Sequence, residues 1–327
     1  MGTDESRAGV SLTNLDGPLF DGSGATKRDL VDYLDAVADR IIPVLADRPL
    51  SVIRVRPGQA PFMQKNTSRN APPWLHTVSL WAETSQRQVV YPLCDDRRTL
   101  LWLANQRAIE YHPMLMRAGD WGHQTHLVLD LDPPAEGDPV GNFRLAVRAA
   151  HLVRQVLDDC GLGGAVKTSG AKGLHVFVPL TPIPVEDIAA ATRALGARVE
   201  HLDPELTTTA FIRADRGAGK VFLDSTRAGG ASVAATFSPR IRPGLPVSFP
   251  VAWTDLDRIV PGDFTIRTAP ALLRDDDPWA RNMPAPQALP DELVAEGHTI
   301  PVARVQAMHE GKRRARARRQ ADNGDQS

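Results

Sequence analysis

The stretch His126-Leu127-Val128-Leu129-Asp130-Leu131-Asp132-Pro133-Pro134 constrains this chain more than any other. It reads as an apolar strand that ends by presenting two carboxylates. Successive side chains of a strand alternate between faces, so Val128, Asp130 and Asp132 point one way while Leu127, Leu129 and Leu131 point into a core. Two charges at the tip of an apolar strand are costly unless compensated, and the usual compensator is a divalent cation with oxygen ligands. A strand running out into a polar turn at Asp132-Pro133-Pro134 looks the same locally, so the stretch alone leaves both readings open.

The 327 residues suffice for a large core, in two domains or one elaborated domain. With 42% apolar and 24% charged residues the composition is that of a soluble globular chain, and it contains no membrane-length apolar run. The N-terminus lacks a basic segment followed by an apolar one, so no secretory signal is expected; a cytoplasmic, nucleoid-associated location is. Two cysteines, Cys94 and Cys160, without CxxC spacing exclude both a disulfide framework and a zinc site. The net charge of −1 hides an asymmetry, because residues 312–319 carry six cations that Asp275-Asp276-Asp277 partly offset. That basic run reads either as a solubilising tail or as a phosphate contact.

Leu30, Tyr33, Leu34, Val37, Ile41 and Leu45 recur at helical spacing behind Thr26 as N-cap, predicting a helix over 26–47. Strands are expected at 50–55, 78–81, 89–92, 166–168, 175–178 and 220–224, and helices at 100–110, 143–160 and 184–201. Gly161 is a suitable stop for the helix at 143–160. Four prolines between residues 239 and 250 predict an extended wrapping segment rather than a helix. Residues 255–274 have room for one short helix, 270–290 read as a proline-rich linker, and 291–327 as a polar and basic tail. The alternation of strands and helices through 126–224 predicts a mixed α/β (α+β) core.

Two further motifs carry chemistry. Thr168-Ser169-Gly170-Ala171-Lys172-Gly173-Leu174-His175 puts two glycines, a hydroxyl, a lysine and a histidine between apolar strands. Ser169, Lys172 and His175 can supply hydrogen bonds suited to phosphate oxygens. It is not a Walker loop, since GxxxxGK[ST] is absent, and a tight hairpin with a lysine at its tip is the plain alternative. Gly219-Lys220-Val221-Phe222-Leu223-Asp224 ends another apolar strand in a carboxylate. Three converging acids suit a two-metal phosphoryl-transfer site, with magnesium or manganese rather than zinc.

The order of these motifs resembles the archaeo-eukaryotic primase superfamily, and more closely the polymerase domain of bacterial ligase D. The resemblance covers roughly residues 20–270 and rests on Asp21-Gly22 with Thr26-Lys27, Phe62-Met63-Gln64-Lys65-Asn66, Glu110-Tyr111-His112-Pro113, Leu129-Asp130-Leu131-Asp132-Pro133, Ser169 through His175, Phe222-Leu223-Asp224, and Ser238-Pro239-Arg240-Ile241-Arg242-Pro243-Gly244. It implies a primase-polymerase fold, with an RNA-recognition-motif-like catalytic sheet and an N-terminal α/β module packed against it. The implied organisation is a flexible 1–19, a catalytic domain over 20–290 divided into a module at 20–120 and a core at 121–270, and the tail. It also implies that Asp130, Asp132 and Asp224 are catalytic and bind two divalent metal ions, Mn2+ or Mg2+. Ser169, Lys172 and His175 would bind the incoming nucleotide, helped by Arg240, Lys220 and His112. Lys27 would capture the 5′-phosphate of a gapped or broken duplex, and Lys65 would lie along the DNA path.

Where the family has a bulky residue and a polar turn after the third acid, this chain has Ser225-Thr226-Arg227-Ala228-Gly229-Gly230, which puts the contact made there in doubt. The implied activity is template-directed, DNA-dependent nucleotidyl transfer that fills short gaps in repair and prefers ribonucleotides. The implied partners are 5′-phosphorylated DNA, nucleoside triphosphates, a separate ligase and an end-binding protein such as Ku, with no membrane. The remaining length leaves no room for a ligase or phosphoesterase domain, so a stand-alone polymerase is expected. A primase that starts chains de novo and a non-catalytic DNA-end binder are the competing readings; the intact acids argue against the binder.

Overall fold

A computed structural model describes residues 5–82, 86–227 and 232–302. The basic run at 312–319 lies outside the described residues.

The centre is a six-stranded mixed sheet in the order Thr207–Thr208, Val221–Asp224, His123–Asp132, Leu174–Pro184, Ala165–Thr168, Pro250–Val251. All pairings are antiparallel except the first, which is parallel. The strand His123–Asp132 is interior and covered on both faces, so its expected alternation is chemical rather than solvent-driven: Leu127, Val128, Leu129 and Leu131 are all fully buried. Helices Pro139–Asp159 and Val185–Leu202 pack on the sheet. The first starts at Asp138, whose carboxylate accepts from the Val140 and Gly141 amides, and stops before the positive-φ Gly161.

The N-terminal module carries a three-stranded sheet in the order Gln59–Gln64, Leu50–Arg56, Ala108–Pro113, and a hairpin, Thr77–Ala82 with Arg87–Pro92. It shares one hydrophobic cluster with the central sheet, running from Leu30 and Tyr111 through Leu129 to Phe249. The site is therefore held between parts that cannot slide independently.

Several expectations need correction. The first 19 residues were expected to be flexible, yet strands Glu5–Arg7 and Val10–Leu12 pair, and Val10, Leu12, Leu15 and Leu19 enter the main core. Their apolar spacing is too short to register as an element in the sequence. The helix expected at 26–47 is two, Lys27–Ala36 and Ala38–Leu45, meeting at Val37. The helix expected at 100–110 runs only over Arg97–Asn105; Arg107 takes a positive φ of 60°, and Ala108–Pro113 becomes a strand paired with Leu50–Arg56. That correction puts Glu110 and His112 on one strand face. The polar tail begins with a helix, Asp291–Thr299, which buries Leu293 and is tied to helix Val185–Leu202 by the Arg198–Glu296 ion pair. The linker at 270–290 likewise holds helices Ala269–Leu273 and Pro278–Asn282. No described helix is long and apolar enough to cross a membrane.

Candidate active site

Sheet register assembles the site. Asp224 lies directly across from Asp130, Asp130 from His175, and His175 from Lys167. Residues directly opposite in a sheet share a face, so these four form one row over four adjacent strands. Asp132 stands two residues further along the same face, opposite Phe222. Asp130, Asp224, His175 and Lys167 are all buried, while Asp132 is partly open.

The Arg227 guanidinium lies 2.9 Å from Asp130 Oδ2 and 3.1 Å from Asp224 Oδ2. His175 Nε2 is 3.4 Å from Asp130 Oδ1. Burial pushes the Asp130 carboxyl up, but His175 and Arg227 outweigh it and hold the group well below the usual carboxylate range. Asp132 moves the other way: burial and the charge of Asp130 raise it to about 6, against the pull of Lys172. The three acids are thus an under-neutralised cluster of hard oxygen donors, the type suited to magnesium or manganese. With Arg227 between two of them, no three His, Cys, Asp or Glu side chains among the described residues form a ready metal cage.

The loop after the Lys167 strand explains its two glycines. Gly170 has φ +69°, and a Cβ there would come within 2.7 Å of both Arg240 Cγ and the Ser248 amide. At Gly173 a Cβ would meet the Leu131 carbonyl oxygen at 2.1 Å, so the backbone is pressed against the acidic strand rather than left open for a ligand. Ser169 Oγ accepts from the Ala171 and Gly173 amides, which leaves its own proton to donate. Arg240 donates to the Ser169 carbonyl at 2.6 Å, fixing the loop to the wrapping segment.

A cleft of about 480 Å³ opens on this face, and Lys65, His112, Asp130, Asp132, Ser169, Lys172, His175 and Arg240 all line it. Eight of the eleven residues singled out in the sequence therefore converge. Asp224 lies under the cleft's edge, opposite Asp130. A second groove, about 570 Å³, shares Asp132 and Lys172 with the first and is lined by Arg213, Arg216 and Lys220. Lys220 belongs to this groove, and its ammonium donates to the Pro204 carbonyl at 2.7 Å. Lys27 lines neither. It is buried at the start of its helix, donating to the Thr13 carbonyl and to Asn105 Oδ1, each at 2.6 Å. Burial and the neighbouring Arg107 lower its pKa to about 8. Among the described residues neither cation is ion-paired with a carboxylate.

Three residues beyond those singled out shape the site. Glu110 binds His112 Nε2 at 3.0 Å, pairs with Arg240 Nε at 3.0 Å and accepts from the Ile241 amide at 2.9 Å. Burial alone would raise its carboxyl, but these partners hold it down to about 2. The two-residue spacing of Glu110 and His112 is a strand signal that the helical reading of 100–110 concealed. Lys167, a lone cation in an apolar strand, is the second. Arg227 is the third, three residues after Asp224, and nothing in its local sequence marks it as the partner of Asp130, 97 residues away.

The description "LigD, primase-polymerase domain" belongs to the family whose profile matches residues 26–279. The multifunctional non-homologous end joining DNA repair protein LigD of Mycobacterium tuberculosis H37Rv is 35% identical over 260 residues, 76% of this chain and 33% of the relative. The bifunctional LigD of Bacillus subtilis 168 is 32% identical over 265 residues, 79% of this chain and 41% of the relative. The chain spans only about a third to two fifths of the length of these relatives. The solved polymerase domain of Mycobacterium tuberculosis ligase D in complex with DNA matches with a TM-score of 0.76 and 30% identity, covering 84% of this chain and 97% of that one. Fold and matches agree: the chain belongs to the LigD primase-polymerase domain family, nucleotidyltransferases of the primase-polymerase fold that work with divalent metal.

Proposed function

We propose that this protein is a template-directed polymerase that fills short gaps or extends broken ends in DNA repair by end joining. The carrying observation is the cross-strand row Asp224, Asp130, His175 and Lys167, whose two middle members, Asp130 and His175, line a cationic cleft. In the reaction the primer 3′-hydroxyl attacks the α-phosphorus of a nucleoside triphosphate and pyrophosphate leaves. Asp130, Asp132 and Asp224 are the residues to hold two Mg2+ or Mn2+ ions, which when bound activate the hydroxyl and stabilise the leaving group. Ser169, Lys172, His175 and Arg240 grip the triphosphate, and His112 is held toward the same cleft by Glu110. The second basic groove adjoins the first at Asp132 and Lys172, which line both. Arg213, Arg216 and Lys220 suit a strand backbone there, which moves Lys220 from nucleotide to DNA contact. A 5′-phosphorylated gapped or broken duplex, a separate ligase and a Ku-type end binder are the partners this reading names.

The reading is tested by single-nucleotide extension on gapped duplexes with ribo- and deoxynucleotides. Preferred ribonucleotide addition is expected, and equal use of both removes that part of the proposal.

Arg227 holds the place between Asp130 and Asp224 that a cation would take, so it has to swing aside when metal binds. Arg227→Ala is expected to tighten Mn2+ binding about five- to tenfold, read by titration of free Mn2+ in electron paramagnetic resonance. Unchanged or weaker binding would mean that the guanidinium stays beside the metal.

Lys27 and Arg107 are close enough for each charge to be felt by the other, and among the described residues neither is ion-paired with a carboxylate, a disposition suited to a phosphate dianion. Lys27→Met is expected to cut the preference for a 5′-phosphorylated over a 5′-hydroxyl gap about tenfold, in proportion to one charge-assisted hydrogen bond. If wild type binds both gaps equally, Lys27 has no such role.

A further inference from the structure

Lys167 is fully buried, and nothing in the reaction as described uses it. Its Nζ has three partners: the Ala234 carbonyl at 2.9 Å, Ser248 Oγ at 2.5 Å and His175 Nδ1 at 2.7 Å. Ser248 gives its own proton to the Thr168 carbonyl, so its oxygen must accept from Lys167. The Ala234 carbonyl can only accept. Two lysine protons are thereby committed, and the third contact decides the imidazole.

On its far side, His175 Nε2 faces the Asp130 carboxylate, which is an acceptor only when ionised. A bare nitrogen lone pair aimed at that oxygen would be repelled, so Nε2 carries a hydrogen. Nδ1 then either accepts from an ammonium or, as part of an imidazolium, donates to a neutral amine. Two full charges 2.7 Å apart in a buried place would repel strongly, so the couple holds one positive charge between them. In both arrangements Nε2 remains a donor.

We propose that Lys167 is a positioning residue for His175: held by the Ala234 carbonyl and Ser248, it caps Nδ1 from behind, so that Nε2 stays turned toward Asp130 and the triphosphate cleft that both line. This rests on the reading of His175 as a nucleotide contact. Arg240 and Ser169 reach the cleft from the wrapping segment and the loop, whereas Lys167, which does not line it, acts through the imidazole and through the Ala234 carbonyl. The cost of burying the couple is offset by Asp130, one residue across the sheet.

The test is nitrogen-15 NMR of the histidine side chains in the wild-type protein, with the His175 signals identified by their loss in His175→Gln. A protonated Nε2 is expected; a bare Nε2 with protonated Nδ1 overturns the proposal. Binding of a fluorescent nucleoside triphosphate gives the second readout. Lys167→Met is expected to weaken it about tenfold in the wild type and to add little in a His175→Gln background. Losses that simply multiply, or wild-type affinity in Lys167→Met, overturn it too. If His175→Gln itself binds nucleotide normally, the nucleotide-contact reading fails, and the NMR result still decides what Lys167 does to the imidazole.

Discussion

Asp130→Ala combined with Asp132→Ala is expected to lower templated extension by at least about a thousandfold while leaving duplex binding within about twofold. The two carboxylates share one face of an interior strand and line the cleft, and Asp224 lies directly across from Asp130. Loss of metal-type charge stabilisation is worth several kcal/mol, and each ~1.4 kcal/mol is a factor of ten in rate. DNA affinity should survive, because two anions facing a phosphate backbone contribute repulsion rather than attraction. The fold should survive as well: Arg227 loses Asp130 but keeps Asp224 at 3.1 Å, and its side chain, 34% exposed, has solvent beside it. Mn2+ should raise the melting temperature of wild type and not of the double variant, since a ligand stabilises only the state that binds it. Substantial extension by the double variant would place the metal site elsewhere.

Glu110→Ala is expected to be the most damaging single change outside the acids, at about 3–5 kcal/mol of stability, with nucleotide binding lost alongside. Glu110 ties the N-terminal module to the wrapping segment through His112, Arg240 and the Ile241 amide. Removing one member of a buried ionic cluster strands the others without a counter-charge. The same carboxylate gives a pH signature. Its pKa is held to about 2 in the folded protein against 4.5 for the free group. A depressed acid contributes its stabilisation fully above the unfolded value, and that contribution, about 3 kcal/mol, is lost as pH falls from roughly 4.5 toward 2. Urea unfolding at pH 7 and at pH 3 should therefore show a smaller difference between wild type and Glu110→Ala at the lower pH. A variant that unfolds like wild type at pH 7 would show that Arg240 and His112 find other partners.

How much of this was legible in the sequence depended on whether neighbours along the chain were also neighbours in space. Asp130 and Asp132 lie two residues apart on a strand, and Ser169, Lys172 and His175 fall within one tight loop and the start of the strand that follows it, so period and spacing alone grouped them. Asp224 could be added only through the order of motifs, because its pairing with Asp130 is set by register between strands 94 residues apart in number. Glu110 was hidden by an apolar run, residues 100–104, that continues a helical pattern into what becomes a strand; the break at Arg107 depends on tertiary pairing, which propensity does not report. The N-terminal hairpin escaped because its strands are three residues each, too short for any periodicity to accumulate. Lys27 illustrates the reverse limit: the motif picked out the residue, but only the structure places its ammonium among Thr13, Asn105 and Arg107 and outside the central cleft.

The most direct test of the whole account is incorporation of a single labelled nucleotide by the wild-type protein on a one-nucleotide gapped duplex, with the template base varied and with Mn2+ or a chelator present. The account predicts addition of the complementary nucleotide at each template base and none with the chelator. Incorporation that ignores the template base, or persists when metal is removed, would contradict it.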